Sequence, residues 1–126
     1  MSEAGKTPTS GPAPASAPAL LSIEEFKKLQ LKVGLITAAA DHPNADRLLV
    51  LTVDVGDGTP RQLVAGIKGS YQASDVVGKH VVVVANMKPA ALRGVESQGM
   101  VLAASDESSL VLVSPERPIK PGSTVK

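Results

Sequence analysis

His42 and His80 are the two side chains best suited to acid–base work or metal binding in this chain of 126 residues, and their surroundings argue against both. Neither stands in an H-E-x-x-H motif or any other compact ligand spacing, and no cysteine is present to complete a metal set. Asp41 and Asp46 lie near His42 and permit a carboxylate–imidazole pair, but no serine or other nucleophile has an activating context. Before Pro43, His42 reads as a turn former, with Asp41 and Asp46 capping backbone N–H groups of the same loop. His80 stands at the mouth of a valine strand. Gly56 and Gly58 are turn glycines and build neither G-x-G-x-x-G nor G-x-x-x-x-G-K-[ST]. The spacing argues against an enzyme, and no cofactor or metal is expected.

Binding chemistry is better represented. The stretch NMKPAALRGVESQGM, from Asn86 to Met100, follows the most apolar part of the chain. Lys88 offers a mobile point charge and Arg93 a planar fork that pairs with phosphate bidentately. Gly94 allows close backbone approach. Asn86 and Ser97 add neutral donors and acceptors that suit ribose hydroxyls or base edges. Each has a plainer reading: Asn86 bonding turn backbone, Lys88 and Arg93 as solvated charges, Arg93 paired with Glu96, Met100 filling core space. Phe26 and Tyr71 are the only aromatics, which disfavours binding by stacked single-stranded bases and leaves structured RNA read by phosphate, ribose and shape.

These side chains need a scaffold, and the patterning supplies one. Ser22 and Glu25 have capping-box spacing, with Leu21 and Phe26 at the staple positions, so a short helix is expected over about Ile23–Lys28 with Phe26 anchored in the core. Leu31, Val33 and Leu35 alternate with Lys32 and Gly34, a half-buried strand in which Gly34 marks a bend or bulge. RLLVLTVDVG and PRQLVAGI form a hairpin across Asp57-Gly58. SYQASDVVG fits one helical turn capped by Ser74 or Asp75. KHVVVVANM is a strand buried on both faces or closing a barrel. GMVLAAS and SLVLVSP pair, and the tail through Pro118 and Pro121 runs extended or as an edge strand. Short strands with Gly- and Pro-rich turns mean a small barrel or sandwich. A five-stranded barrel with a helical element between strands three and four is the OB arrangement.

Composition sets the frame. Pro8, Pro12, Pro14 and Pro18 crowd an opening stretch with little apolar bulk, so residues 1–20 are expected to be a disordered leader or linker, and residues 21–126 one domain. The leader lacks the apolar core of a signal peptide. No apolar run reaches the roughly 20 residues of a membrane helix, so the expectation is a cytoplasmic protein without membrane association. The net charge of +1 does not itself suggest nucleic acid, although residues 61–100 carry a local excess of three positive charges.

Taken together, FKKLQLKVGLI, DHPNADRLLVLTVDVG, RQLVAGI, VVGKHVVVVANMKPAALRGVESQGM and the terminal PG closely resemble the tRNA-binding domain family. DHPNAD and LRGVESQGM, separated by the valine strand, form the specific signature. The resemblance implies an all-β, five-stranded OB barrel with a short N-terminal helix, a helical turn between strands 3 and 4, and a C-terminal β extension. It implies binding to the outer corner of tRNA through backbone and shape, without sequence specificity and without catalysis. The implied contacts are Lys32, Asn44, Asn86, Lys88, Arg93, Ser97 and Met100. A homodimer is implied, with the first-strand flanks and C-terminal segment at its interface, as is association with methionyl-tRNA synthetase, in trans or as its subunit or fragment. The alternative within the same fold is a dimeric secretion chaperone that binds polypeptides. Two departures stand out: Arg47 replaces the common lysine after DHPNAD, and Ala91 stands where relatives often carry a lysine in KPAKLRG. Ala91 is expected to weaken binding by one phosphate contact.

Overall fold

Alternating and continuous apolar runs curl into one antiparallel sheet around a valine- and leucine-rich interior. The structure is a computed structural model that describes residues 19–126. Most of the 1–20 leader therefore lies outside the described residues. β1 (Leu31–Asp41), β2 (Leu49–Asp54), β3 (Arg61–Ala65), β4 (His80–Val84) and β7 (Met100–Val101) line up in the order β3-β2-β1-β4-β7. β10 (Thr124–Val125) adds to β1, so the tail is the short edge strand expected of it. This is the five-stranded OB barrel, and its core is Ile36, Leu49, Leu51, Val53, Leu63, Val81 and Val83 with Val76 beneath.

β1 serves two halves of the barrel, pairing with β4 through Leu31–Leu35 and with β2 through Leu35–Asp41. The expected irregularity is present, but not at Gly34: the register shifts between Ile36 and Ala38. Gly34 instead permits close packing. A Cβ there would lie 2.5 Å from Val53 Cγ1 and 3.0 Å from Val83 Cγ2, so the glycine lets strands approach across the barrel.

The β2–β3 hairpin and the helical turn α2 (Ala73–Val76) follow expectation. Of the two suggested caps, Asp75 acts: its carboxylate accepts the Gln72 N–H at 3.0 Å. All four valines of β4 are buried. The GMVLAAS segment divides into β7 and β8 (Ala103–Ser105), and β8 pairs with β9 (Leu110–Leu112) as the C-terminal extension. Between β4 and β7 the chain makes a separate two-stranded hairpin, β5 (Ala90–Leu92) with β6 (Val95–Ser97).

The capping box at the N-terminus is real: Ser22 Oγ accepts the Glu25 N–H at 3.1 Å, and Glu25 Oε1 accepts the Ser22 N–H at 3.0 Å. The helix α1 is shorter than expected, Ile23–Phe26, and buries none of its residues. Phe26 is not a core anchor. It is 37% exposed and lines an outer cleft with Leu29, Leu31 and Val125, because α1 lies outside β1 and β10. Leu21 is exposed too, so the staple does not close. No helix among the described residues is long and apolar enough to cross a membrane.

The β8–β9 turn depends on one carboxylate. Asp106 accepts the backbone N–H groups of Ser108 (2.9 Å) and Ser109 (2.8 Å), with both hydroxyls nearby. These bonds, the Ser108 N–H first, hold its pKa below the ordinary 3.8. A depressed acid stabilises the fold fully above its unfolded value and loses that contribution as pH falls through the folded one. The Ser108 and Ser109 amide resonances should therefore shift with a midpoint below 3.8. A midpoint at or above that value, or one that persists in Asp106→Asn, would contradict the turn's reliance on the carboxylate.

Candidate nucleic-acid interface

The Asn86–Met100 segment is built as a hairpin laid along the open edge of β3. Leu92 pairs with Val95 across a two-residue turn, Arg93-Gly94. Both turn residues have positive φ, 55° at Arg93 and 90° at Gly94, as a type I′ turn requires. Among the described residues Arg93 is the only non-glycine with positive φ, and Asn or Gly would be the easier choice there. Gly94 is thus needed for the turn itself; its nearest neighbour, Asn44 Nδ2, would lie 3.7 Å from an added Cβ.

Side chains and a single backbone bond, rather than a ladder, attach the hairpin to β3. The Gln62 N–H donates to Gln98 Oε1 (2.9 Å), the Gln98 N–H to the Gln62 carbonyl (2.8 Å), and Gln62 Nε2 to the Glu96 carbonyl (2.7 Å). Ser97 Oγ accepts the Val64 N–H at 3.0 Å and donates to the Gly99 carbonyl at 2.8 Å. Arg61 reaches across from the start of β3 to the Ala85 carbonyl. At the other end, the 42–48 loop grips the turn. Asn44 Nδ2 donates to the Arg93 carbonyl at 3.2 Å. The Asn44 N–H donates to His42 Nδ1 (2.9 Å), which leaves the ring proton on Nε2, donating to the Leu92 carbonyl (2.9 Å). His42 is buried, a turn former as expected. Asp41 does not cap the loop; it pairs with Lys68 at 3.2 Å.

The seven expected contact residues therefore sort by geometry. Lys88, just before the hairpin, and Arg93, in its turn, are exposed and take part in none of the ion pairs among the described residues. Five residue steps along the chain separate them, about 16 Å if extended. Arg93 is not paired with Glu96. Lys32 is half-buried on β1, at the same end of the barrel as Asn86. Met100 is 42% exposed and, with Leu92, Leu102 and Leu110, lines an open apolar cleft of about 420 Å³ rather than the core. Asn44 holds the Arg93 turn. Asn86 spends both ends of its amide on backbone, accepting the Gln30 N–H (2.9 Å) and donating to the Lys28 carbonyl (2.6 Å), so it fastens the α1–β1 connection to the end of β4. Ser97 is 4% exposed with its hydroxyl bonded on both sides, so in this structure its side chain serves the hairpin stem.

Reading by motif missed the brackets Gln62 and Gln98 and the reach of His42 to Leu92, and gave little weight to Arg47 and Lys68. The Lys68 N–H bonds the Arg47 carbonyl, which brings two further cations to the loop beside the Arg93 turn. A basic residue immediately after DHPNAD was the available signal for Arg47.

Residues 31–124 match the family described as "Putative tRNA binding domain". A methionine–tRNA ligase of Thermococcus kodakarensis is 50% identical over 106 residues, covering 84% of this chain and 14% of the ligase. The chain thus spans about one-seventh of that relative's length. Among solved structures, a protein related to methionyl-tRNA synthetase from Pyrococcus horikoshii superposes with a TM-score of 0.80 at 34% identity, covering 86% of this chain and all of the other. The chaperone CsaA of Bacillus anthracis superposes at 0.78 with 28% identity, again over 86% of this chain and the whole of its own.

The two kinds of residue should part company on substitution. Ser97→Ala leaves the buried Val64 N–H without a partner and should cost about 1–3 kcal/mol in denaturant unfolding. Arg93→Asn puts the preferred residue into a positive-φ turn position, so stability should hold or rise slightly. A clear fall in midpoint for Arg93→Asn would show that its guanidinium is structural.

Proposed function

Because this chain belongs to the tRNA-binding domain family, we propose that it is a non-catalytic module that binds the outer corner of tRNA without reading its sequence. The observation that carries the proposal is Arg93. A bulky cation occupies a backbone position that favours Asn or Gly, on an exposed turn, with no acidic partner among the described residues, while the loop beneath it is bracketed by His42 and Asn44. Local stability is given up for a charge aimed at solvent, as at sites kept for binding.

Lys88 and Arg93 are proposed as phosphate contacts, with Lys32 and Arg47 extending the basic face and Met100 packing against ribose or base. Asn44 and Asn86 support that face through the backbone bonds they make. The hairpin is compatible with the shallow minor groove and phosphates of a folded RNA, which need shape and charge rather than aromatic platforms. The module is proposed to act in the cytoplasm with methionyl-tRNA synthetase, in cis or in trans, since the ligase relatives carry the same domain.

A homodimer is part of the proposal. Ile23, Phe26 and Leu29 of the α1 region are exposed beside Leu31 and Val125, giving an apolar face formed by the first-strand flank and the C-terminus. A second reading, polypeptide binding of the chaperone kind, draws on the apolar cleft at Leu92, Met100 and Leu110 and on the likeness to CsaA.

Titration with tRNA at rising salt, together with solution mass, tests these claims. Preference for tRNA over random RNA, a mass of two chains, and a salt slope reduced by about one unit in Arg93→Asn are expected. Arg117→Ala, which removes an exposed cation already paired with Glu116, should change little. Equal affinity for random RNA at low salt would sink the tRNA proposal. Peptide binding that survives loss of RNA binding in Lys88→Ala/Arg93→Asn would favour the chaperone reading.

A further inference from the structure

Building on the tRNA-binding reading, we propose that His42 is a positioning residue for the Arg93 turn, working through its ring and never touching the RNA. The β5–β6 hairpin lies outside the barrel sheet, and a two-stranded hairpin alone is marginally stable in water. Its stem is tied to β3 by Gln62, Gln98 and Ser97, but these bonds end before the turn. Among the described residues the tip has two hydrogen-bonded anchors, the Leu92 and Arg93 carbonyls, and both are held by the 42–48 loop.

His42 supplies one anchor and organises the other. Nδ1 accepts the Asn44 N–H and so shapes the loop that presents the Asn44 amide, while Nε2–H reaches the Leu92 carbonyl fifty residues away. The ring is 5% exposed, and each nitrogen has one partner. Neither nitrogen is left for proton transfer, and no metal-capable group of three exists among the described residues. What remains is geometry. With both carbonyls pinned, the αL backbone of Arg93 is fixed before RNA arrives, and less ordering is left to the moment of binding.

Two substitutions separate the ring's two bonds. His42→Asn keeps an acceptor where Nδ1 was, able to take the Asn44 N–H in an Asx turn, but is too short to reach Leu92. His42→Gln keeps a donor at about the reach of Nε2 and loses the turn bond. Affinity for tRNA should fall on the order of 5-fold in His42→Asn, as for one lost buried hydrogen bond, and by less in His42→Gln, which keeps the Leu92 anchor but loses the turn bond. The loss should vanish when Arg93→Asn is already present, because His42 acts through that residue. The Gly94 amide resonance should move further in His42→Asn than in His42→Gln.

Three results would overturn the inference: undiminished tRNA affinity in His42→Asn, a loss that simply adds to that of Arg93→Asn, or a loss confined to His42→Gln. If His42→Asn does not fold, Asn44→Ala takes its place, removing the donor to the Arg93 carbonyl, with the same coupling to Arg93→Asn expected. The parent protein separates the two levels. Without preference for tRNA in the parent, the functional reading falls and this inference with it. With preference retained and sensitive to Arg93 alone, only this inference falls.

Discussion

The seam between β3 and β6 is where the barrel is held shut, and it is closed mostly by side chains. An ordinary OB barrel edge would offer a strand's N–H and C=O groups to another strand. Here the side chains of Gln98 and Ser97 answer the Gln62 and Val64 N–H groups of β3, the Gln62 amide reaches the Glu96 carbonyl of β6, and a single backbone bond joins Gln98 to Gln62. A ladder would have flattened the hairpin into the barrel wall. Side-chain bonds, which have reach and direction of their own, let it stand as a separate two-stranded unit on the surface. The buried end of this seam is Ser97, whose hydroxyl satisfies a buried backbone donor that would otherwise be costly. The exposed end is Arg93.

Position and contact are thereby divided among different residues. Along β5 and β6 the faces alternate: Leu92, Val95 and Ser97 turn towards the barrel and its cleft, while Ala91 and Glu96 form a cross-strand pair facing out. Polar side chains that a motif reading would assign to the ligand are largely consumed by backbone. Asn86 fastens the first strand's approach, Asn44 and His42 the turn, Ser97 the stem. The cations at Lys88 and Arg93 are left without such duties. Fewer of the motif's polar side chains are left for a ligand than its composition alone suggests.

Local signals made most of the scaffold legible. The capping box at Ser22, the Asp57-Gly58 hairpin, the four buried valines and the helical turn at Asp75 each lie within a few residues and obey a period or a turn rule. The failures have a common cause. Phe26 has the spacing of an anchor, but whether a four-residue helix lies over the core or beside it depends on where β10 returns, a hundred residues later. Gly34 announces an irregularity, yet only the facing Val53 and Val83 reveal that it serves packing. Asn86, Ser97 and His42 bond partners 30 to 58 residues away, and no periodicity encodes a side chain meeting a remote backbone group.

Ala91 gains meaning from the same geometry. Its departure from the lysine common at this place looked like the loss of one positive charge. The register sets it directly opposite Glu96, on the outward face. Opposite charges across such a pair attract, and a lysine at 91 would be placed to neutralise the carboxylate as well as to meet phosphate. With alanine there, Glu96 stands exposed and outside every ion pair among the described residues, a few residues from Arg93 on the same hairpin. The substitution therefore changes the field at the turn twice over, by removing a cation and by uncovering an anion. On the proposed tRNA-binding reading, binding through this face would lean more heavily on Arg93 itself, and the orientation of its backbone, with the His42 loop beneath it, would matter more than in a hairpin with charge to spare.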